Sequence, residues 1–396
     1  MHSIKNIFVI GNGPSSSHTM GPAFACEYIL KKYQNIKRID VFIYGSLALT
    51  GKGHLTDVVI DEKLKDVPHQ ITFDLRTPVA HPNTMLFKTF YDDSSAVDEI
   101  ISLGGGSLLI NGQRKEKKEV YKLSTLKDIL KYCEKKQISL YDYIVENEKP
   151  KFFEHMKKVY QTMMDAVDRG LKDDSVLPGK LQVSAKAKML YEKQDREELS
   201  NIKYRLRVMS ASYAVSEENA RGHVVVTAPT CGSCGVIPGV IIYLKDWNFT
   251  DEQIIKGLCV GGLIGRIVKT NGTVSGAVAG CQAEIGVACS MAAAMCNFVF
   301  GNTNRCVAQA AEIALEHSLG LTCDPVDGYV QIPCIERNAI FAQKAIDSSV
   351  LAACIDSDKN KIEFDDIVAT MMETGHDMRD DYKETSRKGL AGLFKK

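Results

Sequence analysis

Three cysteines of this chain sit in peptides suited to holding a metal. They read Gly280-Cys281-Gln282-Ala283-Glu284, Leu321-Thr322-Cys323-Asp324-Pro325 and Ile332-Pro333-Cys334-Ile335-Glu336. Cys323 and Cys334 are eleven residues apart, across a segment carrying Pro325, Gly328 and Pro333. Such punctuation interrupts a helix and lets two thiolates converge. Thiolates gathered from separate turns are what an iron–sulfur cluster requires, and three ligands on a four-iron cluster leave one iron open to a substrate. The competing reading is packing, because a free cysteine is commonly a small buried hydrophobe.

A second concentration of chemistry lies near the start, in Gly11-Asn12-Gly13-Pro14-Ser15-Ser16-Ser17-His18-Thr19. Ser15, Ser16, Ser17 and Thr19, ahead of a helix start, can present hydroxyls and backbone N–H groups to a carboxylate or phosphate. An ordinary helix N-cap explains the same residues equally well. No P-loop lysine follows and the glycine spacing is not that of a dinucleotide site, which argues against nucleotide. Gly51-Lys52-Gly53-His54 supplies a lysine and a histidine in a glycine-flanked loop. Histidine titrates near neutrality and serves as a general base, although many histidines are hydrogen-bonded structural residues. His81-Pro82-Asn83 reads as a turn or a polar cluster. Ala228-Pro229-Thr230-Cys231-Gly232-Ser233-Cys234-Gly235 looks like a loop entering a helix. Its Cys-x-x-Cys fits a redox pair or half a zinc site. No second Cys-x-x-Cys and no His-x-x-x-His completes a zinc set. Cys289 and Cys296, in an alanine-rich helix, read as packing, as do Cys26, Cys133, Cys259, Cys306 and Cys354.

The elements that must position these residues fall into two textures. Up to about residue 118 the chain alternates strand and helix. Strands are predicted at Ile7–Ile10, Ile39–Tyr44, Ile71–Leu75 and Leu108–Ile110, with a helix from near Gly21. Gly104-Gly105-Gly106 marks a tight turn, and the lysine-rich stretch 111–119 reads as a linker or a solvated hairpin tip. From residue 122 the pattern is helical: Leu126, Ile129 and Leu130, then Ile138, Leu140 and Ile144. Runs rich in Ala, Gly, Ser and Cys over 276–294 and 308–319 predict buried, closely packed helices. Val224–Thr227 alternates with period two. The expected architecture is therefore α+β in two domains, a small α/β domain over 1–118 and a mostly helical one over 122–396.

At 396 residues, two domains are the default. Forty-nine basic residues balance 49 acidic ones, against nucleic acid or an anionic membrane as a partner. The apolar run after Met1 is too brief for a signal peptide or spanning helix. Twelve cysteines without a secretory signal suggest reduced thiols in a cytoplasm.

Taken together, these peptides resemble the iron–sulfur L-serine dehydratases over nearly the whole chain. The first half resembles the β part through Gly13–Thr19, Tyr44–Asp57, His81-Pro82-Asn83 and the glycine triplet. The second resembles the catalytic α part through Ala228-Pro229-Thr230, Ser275-Gly276-Ala277, the Cys281 peptide and Ala311–His317. It continues through Gly320–Pro325, Gln331–Ala339, Glu373-Thr374-Gly375 and Tyr382–Arg387. The resemblance implies a single chain with the two parts fused, the small one like an allosteric substrate-binding domain. It implies a 4Fe-4S cluster on Cys281, Cys323 and Cys334, and a serine-contacting loop on Ser15–Thr19. His81, Asn83, Thr230 and Gly232 join the implied substrate set. His54 is the first choice of base and His18 the second, with Lys52 beside them in the catalytic set. The implied reaction takes the Cα proton of serine and expels its hydroxyl with an iron as Lewis acid. The aminoacrylate formed then gives pyruvate and ammonia. The substrate is a small amino acid and the expected assembly a homodimer.

Three departures stand out. Cys231 and Cys234 fall where many members have Asn or Ala, Lys388 replaces a glycine, and no cysteine follows Gly392-Leu393-Phe394, which puts a tail cap on the cluster in doubt. Pyridoxal phosphate would need a Schiff-base lysine in a phosphate cradle, and no lysine has that context. A lyase for threonine or cysteine differs by about one methyl group in the pocket, worth only ~1–3 kcal/mol. A non-catalytic redox sensor using Cys231 and Cys234 is the alternative outside the enzymes.

Overall fold

The computed structural model describes residues 1–114, 119–195 and 198–394. Part of the expected linker, residues 115–118, and the last two residues of the chain lie outside them. The strand predicted at Ile7–Ile10 falls later. The chain opens with a 3-10 turn, Ile4–Asn6, and the strand β1 is Ile10–Asn12. Ile4, Ile7 and Phe8 are fully buried among helices of the second half. Gly262 makes room for two of them: a Cβ there would meet Ile4 at 2.4 Å and Phe8 at 2.6 Å. Burial against helices from far along the chain overrode the local strand pattern.

The first half is built on a six-stranded sheet. Its strands are β2 (Arg38–Tyr44), β3 (His69–Asp74), β4 (Thr84–Phe90), β5 (Ser95–Ser102), β6 (Leu108–Ile110) and β7 (Gln113–Arg114). The order is β3-β2-β4-β5-β6-β7, with β2 and β3 parallel and every other pair antiparallel. Alternation puts Ile39, Val41 and Ile43 of β2 into the core, beside Met85 and Phe87 of β4. The helices Gly21–Lys32 and Thr56–Leu64 contribute Cys26, Ile29, Ile60 and Leu64 to the same core. Truncating a buried residue such as Ile43 to alanine would cost about 2–5 kcal/mol. The β4–β5 hairpin was not anticipated, because Lys88, Asp98 and Glu99 mask its pattern. Asp98 is buried but answered by Lys32 and Tyr33, each at 2.7 Å. The hairpin tip read at 111–119 begins as one, with β6 and β7 turning at Asn111 and Gly112. Gly104, Gly105 and Gly106 all take positive φ, as the predicted tight turn requires.

The second half is mostly helical. Its buried centre is the helix Val287–Val299, surrounded by Asp251–Asn271, Asn304–Glu316 and Cys334–Cys354. Small residues permit the close packing: a Cβ on Gly261 would stand 2.6 Å from the backbone of Met291. The stretch 276–294 is not one helix. A short turn of helix, Gly276–Ala279, stops at Gly280, whose φ is 72°, before a π-helical turn Gln282–Gly286. That break turns Cys281 out of the helical run. The segment Gln282–Val299 is long and apolar enough to cross a membrane, and 89% of it is buried inside the protein. Finally, β8 (Val224–Val226) pairs antiparallel with β1, Ile10 opposite Val226. The serine run following β1 is thereby anchored to the helical half.

Candidate active site between the two halves

A cavity of about 380 Å³ lies where the halves meet. That is within the size range of small-molecule sites. Residues 14–17, 54, 81–83 and 102–105 line it from the first half. From the second come Thr230, Gly232, Lys269, the loop 272–278, Cys281, Glu284, Cys323, Cys334, Arg337 and Glu384.

The thiols reach the cavity from three separate elements. Gly280 can take its positive φ only without a side chain, since a Cβ would meet Leu321 O at 2.5 Å. Cys281 follows it immediately. Cys323 sits in a loop clamped by the C-terminal segment: its N–H donates to Tyr382 O at 2.8 Å, and Glu384 N–H donates to its carbonyl at 2.7 Å. Cys334 opens the helix Cys334–Cys354. Donor atoms of Cys281, Glu284 and Cys323 all lie within 4.8 Å of one another. Glu284 is held by Thr230, whose hydroxyl donates to it at 2.6 Å, and the Cys323 thiol points at its other oxygen from 3.7 Å.

The electrostatics suit a cation. Contact with Cys281 and then burial raise the Cys323 thiol well above its ordinary value, and burial followed by Cys281 raises Cys334. Burial also raises Glu284, and burial with Glu284 beside it pushes Glu384 up to about 8. Each of these groups resists ionisation until positive charge arrives. Arg337 supplies one such charge, anchored to Thr322 O at 3.0 Å. Two thiols and a carboxylate converging in a buried pocket, with Cys334 lining it as well, fit a metal with an affinity for sulfur.

On the opposite wall, Ser15 caps a π-helical turn, Ser16–Met20, accepting from His18 N–H. The hydroxyls of Ser15 and Ser17 are 3.3 Å apart. His54 is fully buried, and its Nδ1 lies 3.1 Å from Thr50 O. Its Nε2 has no partner among the described residues. Burial lowers its pKa to about 4, so the ring is neutral at physiological pH. Asn83 Oδ1 and Ser102 Oγ on the same wall are likewise buried without partners. Three residues lining one cavity thus each carry a buried polar atom without a partner among the described residues, which favours a polar ligand.

Of the residues singled out in the sequence, Ser15, Ser16, Ser17, His54, His81, Asn83, Thr230, Gly232, Cys281, Cys323 and Cys334 meet at this cavity. His18 stands behind His54, ring centroids 4.7 Å apart, bonded to Ser17 at 2.8 Å and Ser46 at 3.3 Å. Thr19 is buried and donates to His54 O at 2.7 Å, holding the histidine loop in place. Lys52 is exposed, its ammonium 5.8 Å from the Phe73 ring. None of these three lines the cavity. Glu284, Arg337, Glu384, Lys269 and Ser102 line it without having been singled out. Position signalled two of them: Glu284 and Arg337 each follow a candidate cysteine by three residues, one turn of helix. Cys231 and Cys234 lie just behind Thr230 and Gly232, fully buried with raised thiols, burial being the main cause.

A family model described as serine dehydratase alpha chain matches residues 111–391, and one described as serine dehydratase beta chain matches residues 3–65. The L-serine dehydratase of Haemophilus influenzae is 37% identical, with 99% of this chain and 99% of that protein aligned. L-serine dehydratase 2 of Escherichia coli is 36% identical, with 99% and 98% aligned. The L-serine dehydratase of Streptomyces coelicolor is 34% identical, with 98% of each chain aligned. The chain belongs to the serine dehydratase family, with its alpha and beta parts fused in one polypeptide.

Proposed function

We propose that this protein is an L-serine ammonia-lyase that converts L-serine to pyruvate and ammonia, using a 4Fe-4S cluster on Cys281, Cys323 and Cys334. One observation carries the reading. One cavity is lined both by His54, whose buried Nε2 has no partner among the described residues, and by three cysteines.

Serine binds between the halves. Its carboxylate is held by the hydroxyls of Ser15–Ser17 and by the first amides of the helical turn they open, which have no partner inside it. Asn83 Oδ1, an acceptor without a donor, suits the substrate ammonium. His54 takes the Cα proton on Nε2. Its other nitrogen keeps a hydrogen because a backbone carbonyl can only accept, and Thr50 O therefore sets the tautomer. Thr19 and Thr56 fix the geometry from behind, binding His54 O and His18 O at 2.7 and 2.6 Å. The bound cluster supplies Lewis acidity for departure of the β-hydroxyl, a poor leaving group. Loss of the proton and the hydroxyl gives aminoacrylate and water. Its tautomer, an imine, takes up water and releases ammonia, leaving pyruvate. Enclosure between the halves limits bulk water during the first step.

The test is anaerobic reconstitution with iron and sulfide, followed by assay with L-serine. Pyruvate and ammonium should appear in equal amounts. Cluster-loaded protein that turns over no serine would sink this reading.

A further inference from the structure

A second cavity, of about 160 Å³, lies in the helical half and shares no lining residue with the first. It opens between the helices Leu126–Lys136 and Asn304–Glu316, beside the start of Phe364–Asp377. Two of its lining residues are buried acceptors. Gln309 is 6% exposed and Glu312 3%, and the Oε1 atom of each has no donor. Among the described residues Glu312 Oε2 accepts from Asn360 at 3.3 Å, and its carboxyl also shares a hydrogen bond with that of Glu316. Burial, followed by the neighbouring Glu316 carboxyl, pushes Glu312 up to about 8. Buried acceptors are normally satisfied, and two together in one cavity point to a ligand that brings N–H groups or positive charge.

The rest of the lining carries both signs, Glu134, Asp358, Glu363 and Asp365 beside Lys127, Lys131 and Arg305. Lys127 is paired with Glu363 at 3.0 Å, and Arg305 with Asp358 at 3.4 Å. Lys131 also lines the cavity, is exposed, and makes no ion pair or hydrogen bond among the described residues. Between the acceptors and this ammonium the wall is apolar, with Leu130, Ala308 and Phe364. The volume is below the usual range for drug-sized ligands and suits a molecule of few heavy atoms.

We infer that this cavity binds a zwitterionic α-amino acid with a small apolar side chain, its ammonium on Gln309 and Glu312 and its carboxylate on Lys131. The chemistry is that of the enzyme's own substrate class without the hydroxyl, so the site can sense an amino acid other than the one consumed. It is independent of the catalytic reading, since no residue is shared.

The test is anaerobic isothermal titration of the full-length, metal-loaded enzyme with L-valine and, separately, L-alanine. Wild type is compared with Lys131→Met and Gln309→Leu. At least one of the two amino acids should bind, and Lys131→Met should weaken it about tenfold, the usual worth of one charged hydrogen bond. Gln309→Leu should weaken it as well, and serine turnover should be unchanged in both variants. If Gln309→Leu does not fold, Lys131→Met on the surface decides alone. No binding of either amino acid to wild type, or binding unaffected by Lys131→Met, overturns the proposal. The second result would place the amino acid in the catalytic cavity instead.

Discussion

His54 and Thr50 face each other across one turn of chain, with imidazole Nδ1 3.1 Å from the carbonyl oxygen. A carbonyl has no proton to give, so this contact leaves Nε2 as the basic nitrogen, buried at the cavity wall without a partner. His54→Ala should lower turnover by about two to four decades, the usual contribution of a general base. Iron content and the circular dichroism spectrum should stay those of wild type. Near-normal turnover per folded molecule would make His54 structural and move the role elsewhere.

The same burial makes a prediction about acid stability. The folded pKa of His54 is about 4, against 6.5 for an exposed imidazole. The unfolded chain therefore binds the proton first as pH falls, and the folded state is penalised between those two values. The stability is fully present above about pH 6.5 and declines toward pH 4. At pH 5 the loss from this residue is about 2 kcal/mol. His18, lowered by burial and then by His54, acts in the same direction. Urea unfolding at pH 7 and pH 5 should show a smaller difference for His54→Gln than for wild type. Equal differences would mean that the ring is not held neutral by the fold.

Much of this arrangement was legible from local pattern. The strand at Ile39–Tyr44 alternates cleanly, and the serine run, the two histidine loops and the cysteine peptides each announce polar chemistry in short segments. What local pattern could not carry was partnership across the chain. Ile7 and Phe8 read as strand but are buried by a helix some 250 residues later, at Gly265 and Gly262. Lys52 and His54 share Gly53 as a neighbour, yet these two residues of one loop part ways, His54 lining the site and Lys52 lying over Phe73. Glu384 enters the site only because its backbone pairs with Cys323. Thr230 and Glu284 are 54 residues apart and 2.6 Å in space.

Gly276 offers a steric test of the metal side. A Cβ there would stand 2.2 Å from Glu284 Oε1 and 3.1 Å from the Cys323 sulfur. Its φ is not in the left-handed region, so alanine brings bulk without backbone strain. Gly276→Ala should displace the Glu284 carboxylate and cut turnover at least about tenfold, the scale of a sub-ångström error in a positioned group. The melting temperature should move by only a few degrees, as about 1 kcal/mol of local repacking would give. Wild-type turnover in this variant would show that Glu284 can move freely and has no part in positioning.

The last prediction separates two ways of holding iron. Cys281 and Cys323 are common to both. A single ion would take Glu284 as its third ligand, since these three donors lie within 4.8 Å of one another. A cluster would take Cys334, which enters the same cavity from the start of its own helix. The two ligand sets therefore differ in one residue each. With a cluster, Cys334→Ala should lose most of the iron and the broad visible absorption of thiolate–iron charge transfer. Glu284→Gln should keep both, because an amide of the same shape still accepts from Thr230. Cys281→Ala and Cys323→Ala should lose iron under either scheme and serve as controls. The thiols of Cys323 and Cys334 are raised, so loading must release protons, and iron uptake by wild type should strengthen as pH rises. Iron retained in Cys334→Ala but lost from Glu284→Gln would replace the cluster by a mononuclear site.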